Sequence, residues 1–233
     1  MRVLRTVALT IVALCVAGCA GEPSDSVEPR ASVGPGAAAS ATSGERQEEI
    51  RVVFLGDSLT AGLGLPEEAA FPALVEHRLR EEGLPVRVVN AGVSGDTSAG
   101  GLNRLDWLLR QRPDILFVSL GANDGLRGLE PEMTERNLRQ IVERGRAAGV
   151  EVILAGMRLP PNYGAAYVDS FEEIFPRLAR ELDVAWVPFL LEGVAGRRRL
   201  NLPDGIHPNA EGHEIIAEVV LPVVRDAVTE AAG

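Results

Sequence analysis

Lysine is absent from this 233-residue chain, and its 23 basic residues are all arginine. A Schiff-base lysine, a phosphate-loop lysine and a lysine general base are therefore excluded. Cysteine occurs twice, at Cys15 and Cys19, so nothing beyond residue 19 can supply a thiol nucleophile, a thiolate ligand or a disulfide. Histidine occurs three times, as His77, His207 and His213, which leaves few positions for imidazole chemistry. Positive charge is also short. The formal net charge is −10, and it becomes −12 without Arg2 and Arg5. Such an acidic chain argues against nucleic acid as a partner and against a peripheral grip on an anionic membrane.

The N-terminus carries what charge there is in a leader. Arg2 and Arg5 precede an apolar run at 7–17 that has signal-peptide length and is short for a bilayer span. The run ends in Val16-Ala17-Gly18-Cys19, which resembles a bacterial lipobox, in which the cysteine is lipidated and becomes the mature N-terminus. The plainer alternative is an ordinary secretory signal cleaved nearby. The lipobox reading predicts a signal peptide at 1–18 and an exported lipoprotein, periplasmic or at the cell surface, membrane-anchored at Cys19. Residues 20–48 are rich in Pro, Gly, Ser and Ala and hold almost no large apolar side chain. That composition cannot offset the entropy of ordering, so 19–48 reads as a linker with a reach of roughly 30 Å. The expected folded domain is 49–233, enough for one full hydrophobic core.

Within it, five short β-branched runs recur: 51–55 (RVVFL), 86–90 (VRVVN), 115–120 (ILFVSL), 151–155 (EVILA) and 184–187 (VAWV). They are continuous rather than alternating, as strands buried on both faces are. Helical stripes separate them: Phe71, Leu74, Val75 and Leu79; Leu102, Leu105, Leu108 and Leu109; Leu138, Ile141 and Val142 after Pro131; and Phe171, Ile174, Phe175, Leu178 and Leu182. Pro176 is expected to kink or break the last of these. A further stripe at Ile215, Ile216, Val219 and Val220 closes the series. The alternation predicts an α/β fold, a three-layer α/β/α sandwich on a five-stranded parallel sheet. A flavodoxin-like strand order of 2-1-3-4-5 would bring the ends of the first three strands together.

In such a fold chemistry sits beyond the C-terminal strand ends. The segments there read GDSLTAGLG (56–64), AGVSGDTSAGG (91–101), GANDGLRG (121–128), GMRLPPNYG (156–164) and the stretch leading to LPDGIHP (202–208). Each polar residue has an ordinary use. Ser58 suits a helix N-cap, Asn123 and Asp124 an Asx turn or cap, and Gly92 a tight turn. Asp57 would suit Mg²⁺ or phosphate, but that chemistry needs an acidic cluster and a late lysine, and lysine is missing. His77 lies among charges and reads as solvated; His213, inside the last helix, reads as a packing or capping residue. His207 is different. Pro208 biases it away from the helical region, to a loop or an N-cap with Pro208 at N1. Asp204, three residues earlier, can hold its Nδ1–H and leave Nε2 free as a base.

Taken jointly, GDSL (56–59), Gly92 in NAG, GAND (121–124) and DGIHP (204–208) stand at four strand ends in that order. The set resembles the SGNH hydrolases, or GDSL esterases, across essentially all of 50–230, and in particular the thioesterase I, lysophospholipase L1 and arylesterase branch. The resemblance implies Ser58 as nucleophile, His207 as general base and then acid, and Asp204 as its orienter. It implies an oxyanion hole from the Ser58 and Gly92 backbone N–H groups and the Asn123 side chain, and acyl-ester, thioester or lysophospholipid hydrolysis without metal or cofactor. Leu63, Leu65, Met157, Leu159 and Tyr163 are the expected acyl-pocket residues. A carbohydrate O-deacetylase with the same machinery, and a binding lipoprotein that kept the cleft without turnover, are the alternatives.

Overall fold

The computed structural model describes residues 49–233; the leader at 1–18, the lipobox at Cys19 and the whole linker at 19–48 lie outside the described residues. Five parallel strands, β1 (Ile50–Gly56), β2 (Val86–Gly92), β3 (Ile115–Ser119), β4 (Glu151–Ala155) and β5 (Ala185–Val187), form one sheet in the order β2-β1-β3-β4-β5. This is the expected 2-1-3-4-5 arrangement. Between and after the strands run α1 (Ser58–Ala61), α2 (Phe71–Glu81), α3 (Ser98–Leu109), α4 (Ala122–Leu126), α5 (Pro131–Ala147), α6 (Ala165–Glu172), α7 (Ile174–Leu182) and α8 (Ala210–Ala232). β1, β3 and β4 are buried almost throughout, as their unbroken apolar runs require. β2 is an edge strand. Only Val86 is fully buried in it, so continuous burial does not extend there.

Register explains why the strand ends matter. Gly56 pairs with Gly92 on one side and with Ser119 on the other, so β1, β2 and β3 release their chains at one level. The core beneath is anchored by Phe54, Phe71 and Phe117, whose ring centroids lie 4.9–6.3 Å apart. Such edge-to-face and tilted aromatic contacts add about 0.5–1.5 kcal/mol each beyond the area they bury.

Two expectations about proline shift by a few residues. The fourth helical stripe does break, but between α6 and α7 at Glu173, and Pro176 lies in the first turn of α7, where no intrahelical donor is needed. Pro208 does not open α8. Asn209 caps that helix by accepting from the Gly212 N–H at 3.0 Å, and Pro208 instead forms an antiparallel bridge with Asn201. The last turn of α8 and the first residue of β1 line the same cleft, of about 1490 Å³, at the N-terminal end of the sheet.

His213 has a capping duty. It is 1% exposed, its Nδ1 accepts from the Phe71 N–H at 3.1 Å at the start of α2, and its ring stacks on Phe71. Burial pushes the imidazole down to about 4. An unfolded histidine takes its proton near pH 6.5, so between those values the unfolded state holds more protons. Stability from this group is complete above about pH 6.5 and is lost as pH falls toward 4, by about 1.4 kcal/mol per unit. His213→Gln keeps an acceptor for Phe71 and does not titrate. In urea unfolding at pH 7 and pH 5, wild type is expected to lose about 2 kcal/mol relative to this variant over that step. An unchanged difference would remove the neutral-histidine account.

Candidate active site

The loop after β1 makes a very tight turn into α1. A Cβ on Gly56 would fall 1.9 Å from Thr60 Oγ1 and one on Gly92 2.2 Å from Ala61 N, so both strand ends must be glycine for α1 to seat on them. The approach at Gly92 is thus required by protein backbone. Asp57, not Ser58, is the N-cap of α1, its Oδ1 accepting from the Leu59 N–H at 3.0 Å. Ser58 is the first helical residue, 8% exposed, with its hydroxyl at the C-terminal edge of the sheet.

His207 reaches that hydroxyl from 149 positions away, with Nε2 3.0 Å from Ser58 Oγ. Its other ring nitrogen lies 2.7 Å from Asp204 Oδ2. The loop that carries it is fixed by backbone bonds across the small bridge, Leu202 N–H to His207 O at 2.7 Å and Asn209 N–H to Leu200 O at 2.9 Å. Asp204 Oδ1 accepts the His207 and Ile206 N–H groups, each at 3.0 Å. These two backbone donors, followed by the imidazole, hold the Asp204 carboxyl down at about 2. The side chain is therefore ionised across the neutral range and presents a fixed charge to Nδ1–H. That bond assigns the proton to Nδ1 and leaves the Nε2 lone pair facing Ser58.

Asn123, on α4 after β3, faces the same place. Its Nδ2 donates to Asp57 Oδ2 at 3.1 Å, which leaves the second amide hydrogen unclaimed by that carboxylate. α4 is pinned from behind by Asp124, which is 1% exposed and accepts from Ser98 N (2.8 Å), Ser98 Oγ (2.5 Å) and Thr134 Oγ1 (3.3 Å). The Gly92 N–H donates to Asn90 Oδ1 at 3.0 Å. Ser58, Gly92, Asn123, Asp204 and His207 thus all stand at one end of the sheet.

The expected acyl-pocket residues divide. Leu63 is exposed (41%) and Leu65 half-buried on the loop after α1. Met157 and Leu159 are core residues, at 3% and 8% exposure, and offer little surface to a ligand. Leu159 is drawn inward because Gly125 leaves room for its methyls, a Cβ there falling 2.5 Å away. Tyr163 is half-buried and its hydroxyl donates to Leu126 O at 3.0 Å, tying the 157–166 loop to α4.

Asp57 is the residue whose part here sequence reasoning missed. It is 1% exposed, and burial pushes its carboxyl up to about 6 against the lowering effect of the Leu59 and Asn123 donors. Its signal was present in the pair Asp57 and Asn123, two short polar side chains at adjacent strand ends.

Residues 54–215 match the model of the GDSL-like lipase/acylhydrolase family. Esterase TesA of Pseudomonas aeruginosa is 43% identical over 175 residues, which span 75% of this chain and 87% of that protein. Thioesterase 1/protease 1/lysophospholipase L1 of Escherichia coli is 45% identical over 168 residues, 72% of this chain and 79% of that one. A crystal structure of TesA superposes with a TM-score of 0.74 at 42% identity, covering 76% of this chain and 99% of that one.

Because the folded Asp57 carboxyl keeps its proton to about pH 6 and an unfolded one loses it near 3.8, this group costs stability as pH rises through that window. The cost reaches about 3 kcal/mol at neutral pH. Asp57→Asn abolishes it, so by urea unfolding the variant should gain on wild type between pH 4 and pH 7. Its turnover should nonetheless fall, because Leu59 and Asn123 donate to different Asp57 oxygens, and in the amide one of those oxygens becomes an NH₂ that faces a donor with a donor. Equal pH dependence in the two proteins would show that the carboxyl is not perturbed.

Proposed function

The chain belongs to the GDSL-like lipase/acylhydrolase family, and from that premise we propose that Ser58, His207 and Asp204 perform its hydrolysis. It is a serine esterase or thioesterase, with relatives named as esterase and as thioesterase and lysophospholipase. The observation that carries the residue assignment is the chain of contacts from Asp204 to His207 Nδ1 and from His207 Nε2 to Ser58 Oγ, at 2.7 and 3.0 Å.

As Ser58 Oγ attacks the acyl carbon, Nε2 takes its proton, and the electron pair of the carbonyl moves onto oxygen. The imidazolium is stabilised by the ionised Asp204. The oxyanion is met by the Ser58 N–H at the start of α1 and the second amide hydrogen of Asn123; the Gly92 N–H, expected as a further donor, is held by Asn90 Oδ1. Collapse expels the alcohol or thiol, which leaves with the proton from Nε2, and an acyl-Ser58 ester remains. Water then attacks that ester, Nε2 accepts its proton, and the acid and the free hydroxyl are regenerated.

The substrates are acyl esters and thioesters, including aryl esters and lysophospholipids. The exposed Leu63, whose N–H donates to Ser58 O, and the half-buried Leu65 on the same loop support an apolar acyl group. The same reading places the enzyme on a membrane as an exported lipoprotein held at Cys19. The lipobox-like sequence 16–19 and the Pro/Gly/Ser/Ala-rich 20–48 that follows support it.

Ser58→Ala is expected to remove p-nitrophenyl ester hydrolysis, and labelling by a fluorophosphonate, with an unchanged circular dichroism spectrum; wild-type turnover in that variant would discard the nucleophile assignment. A panel running from acetyl to palmitoyl esters, thioesters and lysophospholipid should favour acyl chains longer than acetyl. Exclusive cleavage of acetylated glycans would point instead to a carbohydrate deacetylase. In a bacterial host, labelled palmitate should enter the full chain and be lost in Cys19→Ser. Label retained in that variant, or absent from both, would exclude the anchor.

A further inference from the structure

One buried side chain in the loop of His207 has no part in the mechanism above. Asn201 is 8% exposed, and its amide nitrogen donates to two carbonyls at once, Val194 O at 3.0 Å and Arg197 O at 2.9 Å. Those two oxygens open consecutive turns. The first is closed by Arg197 N–H to Val194 O at 3.1 Å, the second by Leu200 N–H to Arg197 O at 2.8 Å. The Asn201 amide therefore clasps both turns. Its backbone bridges to Pro208, and its two neighbours hold the residues that flank that proline. Leu202 N–H donates to His207 O at 2.7 Å, and Leu200 O accepts the Asn209 N–H at 2.9 Å.

We infer that Asn201 is a positioning residue for His207, fixing the 200–209 hairpin against the turns at 194–200 so that Nε2 stays on Ser58 Oγ. The inference rests on the assignment of His207 as base given above. Three features of the geometry support it. First, the connection between β5 and α8, residues 188–209, holds one short helical turn at Arg198–Leu200 and no strand. Side-chain bonds must supply what a ladder would otherwise provide. Second, Asp204 cannot supply this hold. Its partners, the His207 and Ile206 N–H groups and His207 Nδ1, all lie inside the hairpin. Asp204 orients the ring within the hairpin and leaves the placement of the hairpin itself open. Third, the surroundings are fixed. Val194 and Leu200 are fully buried and anchor the turns in the core. A Cβ on Gly212, in the first turn of α8, would fall 2.4 Å from Leu200 O, so the helix already stands against the hairpin. On that side Asn209 makes the matching contacts, Nδ2 donating to Arg199 O at 2.8 Å and Oδ1 accepting from Gly212 N–H. Asn201 is the side chain that holds the side of the turns.

The consequence falls on the base. A hairpin released from the turns moves as a unit, with His207 and Asp204 still bonded to each other and both displaced from Ser58. A serine hydroxyl without its base is a weak nucleophile, and a misplacement of about 1 Å can cost about 10²-fold in rate. Loss of Asn201 thus differs from loss of Asp204, which leaves the imidazole without the group that sets its tautomer and orientation.

The test uses full-length wild type, Asn201→Ala and Asn201→Ser, each with and without Ser58→Ala. Asn201→Ala removes both hydrogen bonds to the turns, and Asn201→Ser keeps one shorter donor. Turnover of p-nitrophenyl esters per folded molecule is expected to fall about 10²-fold in Asn201→Ala, with KM within about threefold of wild type. Asn201→Ser should show a smaller loss in the same direction. The imidazole itself provides a readout that a merely structural role would not move. The chain has three histidines, so ring ¹⁵N labelling gives signals that single substitutions assign. In the wild-type background, Ser58→Ala takes the hydroxyl away from Nε2 and should shift its resonance. In the Asn201→Ala background the same substitution should shift it by less than about a third as much, the mark of a broken coupling. The low-field Nδ1 proton shared with Asp204 should persist. Near-wild-type turnover in a folded Asn201→Ala would overturn the inference. So would a loss of turnover beside a full-sized response to Ser58→Ala, or the disappearance of the Asp204-bound proton, which would mean that the hairpin had come apart rather than moved. Should Asn201→Ala not fold, the same readings on Asn201→Ser decide. An inactive His207→Ala beside an unaffected Asn201→Ala sinks this inference alone, whereas an active His207→Ala sinks the assignment on which it rests.

Discussion

The 3.0 Å contact between Ser58 Oγ and His207 Nε2 is the interaction on which the rest of the site depends. A serine hydroxyl is a weak nucleophile until a base stands ready to take its proton. Here hydroxyl and base are separated by nearly the whole described chain. The parallel sheet solves half of this separation by ending β1, β2 and β3 at one level, with Gly56, Gly92 and Ser119 in register. The loop after β5 solves the other half. Its two-residue antiparallel bridge and the Asp204 carboxylate, which gathers two backbone N–H groups and the imidazole, convert a long connection into a fixed support for one ring.

Much of this could be read from the residues. Continuous β-branched runs alternating with helical stripes specify a doubly covered parallel sheet, and the observed strand order follows the expected one. Ser58, Gly92 and Asn123 could be placed at the C-terminal edge because each lies at or just after the end of a strand; that they and His207 form one set followed only from the resemblance of the four blocks. What sequence could not reveal lies in contacts between loops. The cap of α1 fell to Asp57 rather than Ser58, because only the preceding carboxylate can reach Leu59 N–H while also facing Asn123. Leu159 turned inward because the gap at Gly125, beside the ring of Phe171, receives its methyls, a volume that no pattern within 156–164 encodes; Met157 is likewise part of the core. Edge exposure of β2 was equally invisible in VRVVN, which reads as apolar as any central strand.

Two buried titratable groups show how much local surroundings decide. His213 and Asp57 are both about 1% exposed and both are shifted by loss of water, yet toward opposite stability trends. Burial keeps the imidazole neutral and so an acceptor for the first donor of α2. It also raises the carboxyl next to the nucleophile toward neutrality, while the Leu59 and Asn123 donors pull it back toward the charged form. Between about pH 4 and 6 their slopes oppose each other, so a flat overall stability profile there would conceal two large and separate dependences.

The last turn of α8 and the first residue of β1 share one cleft at the N-terminal end of the sheet, so both ends of the domain leave from the side opposite Ser58. Neighbouring termini on one surface are the arrangement that tolerates rewiring of chain order. A short artificial joint between Gly233 and Glu49 would close the backbone into a ring without passing near the reacting groups. Either end would equally serve as a handle for a fusion partner or a solid support, with the working face left open to solvent.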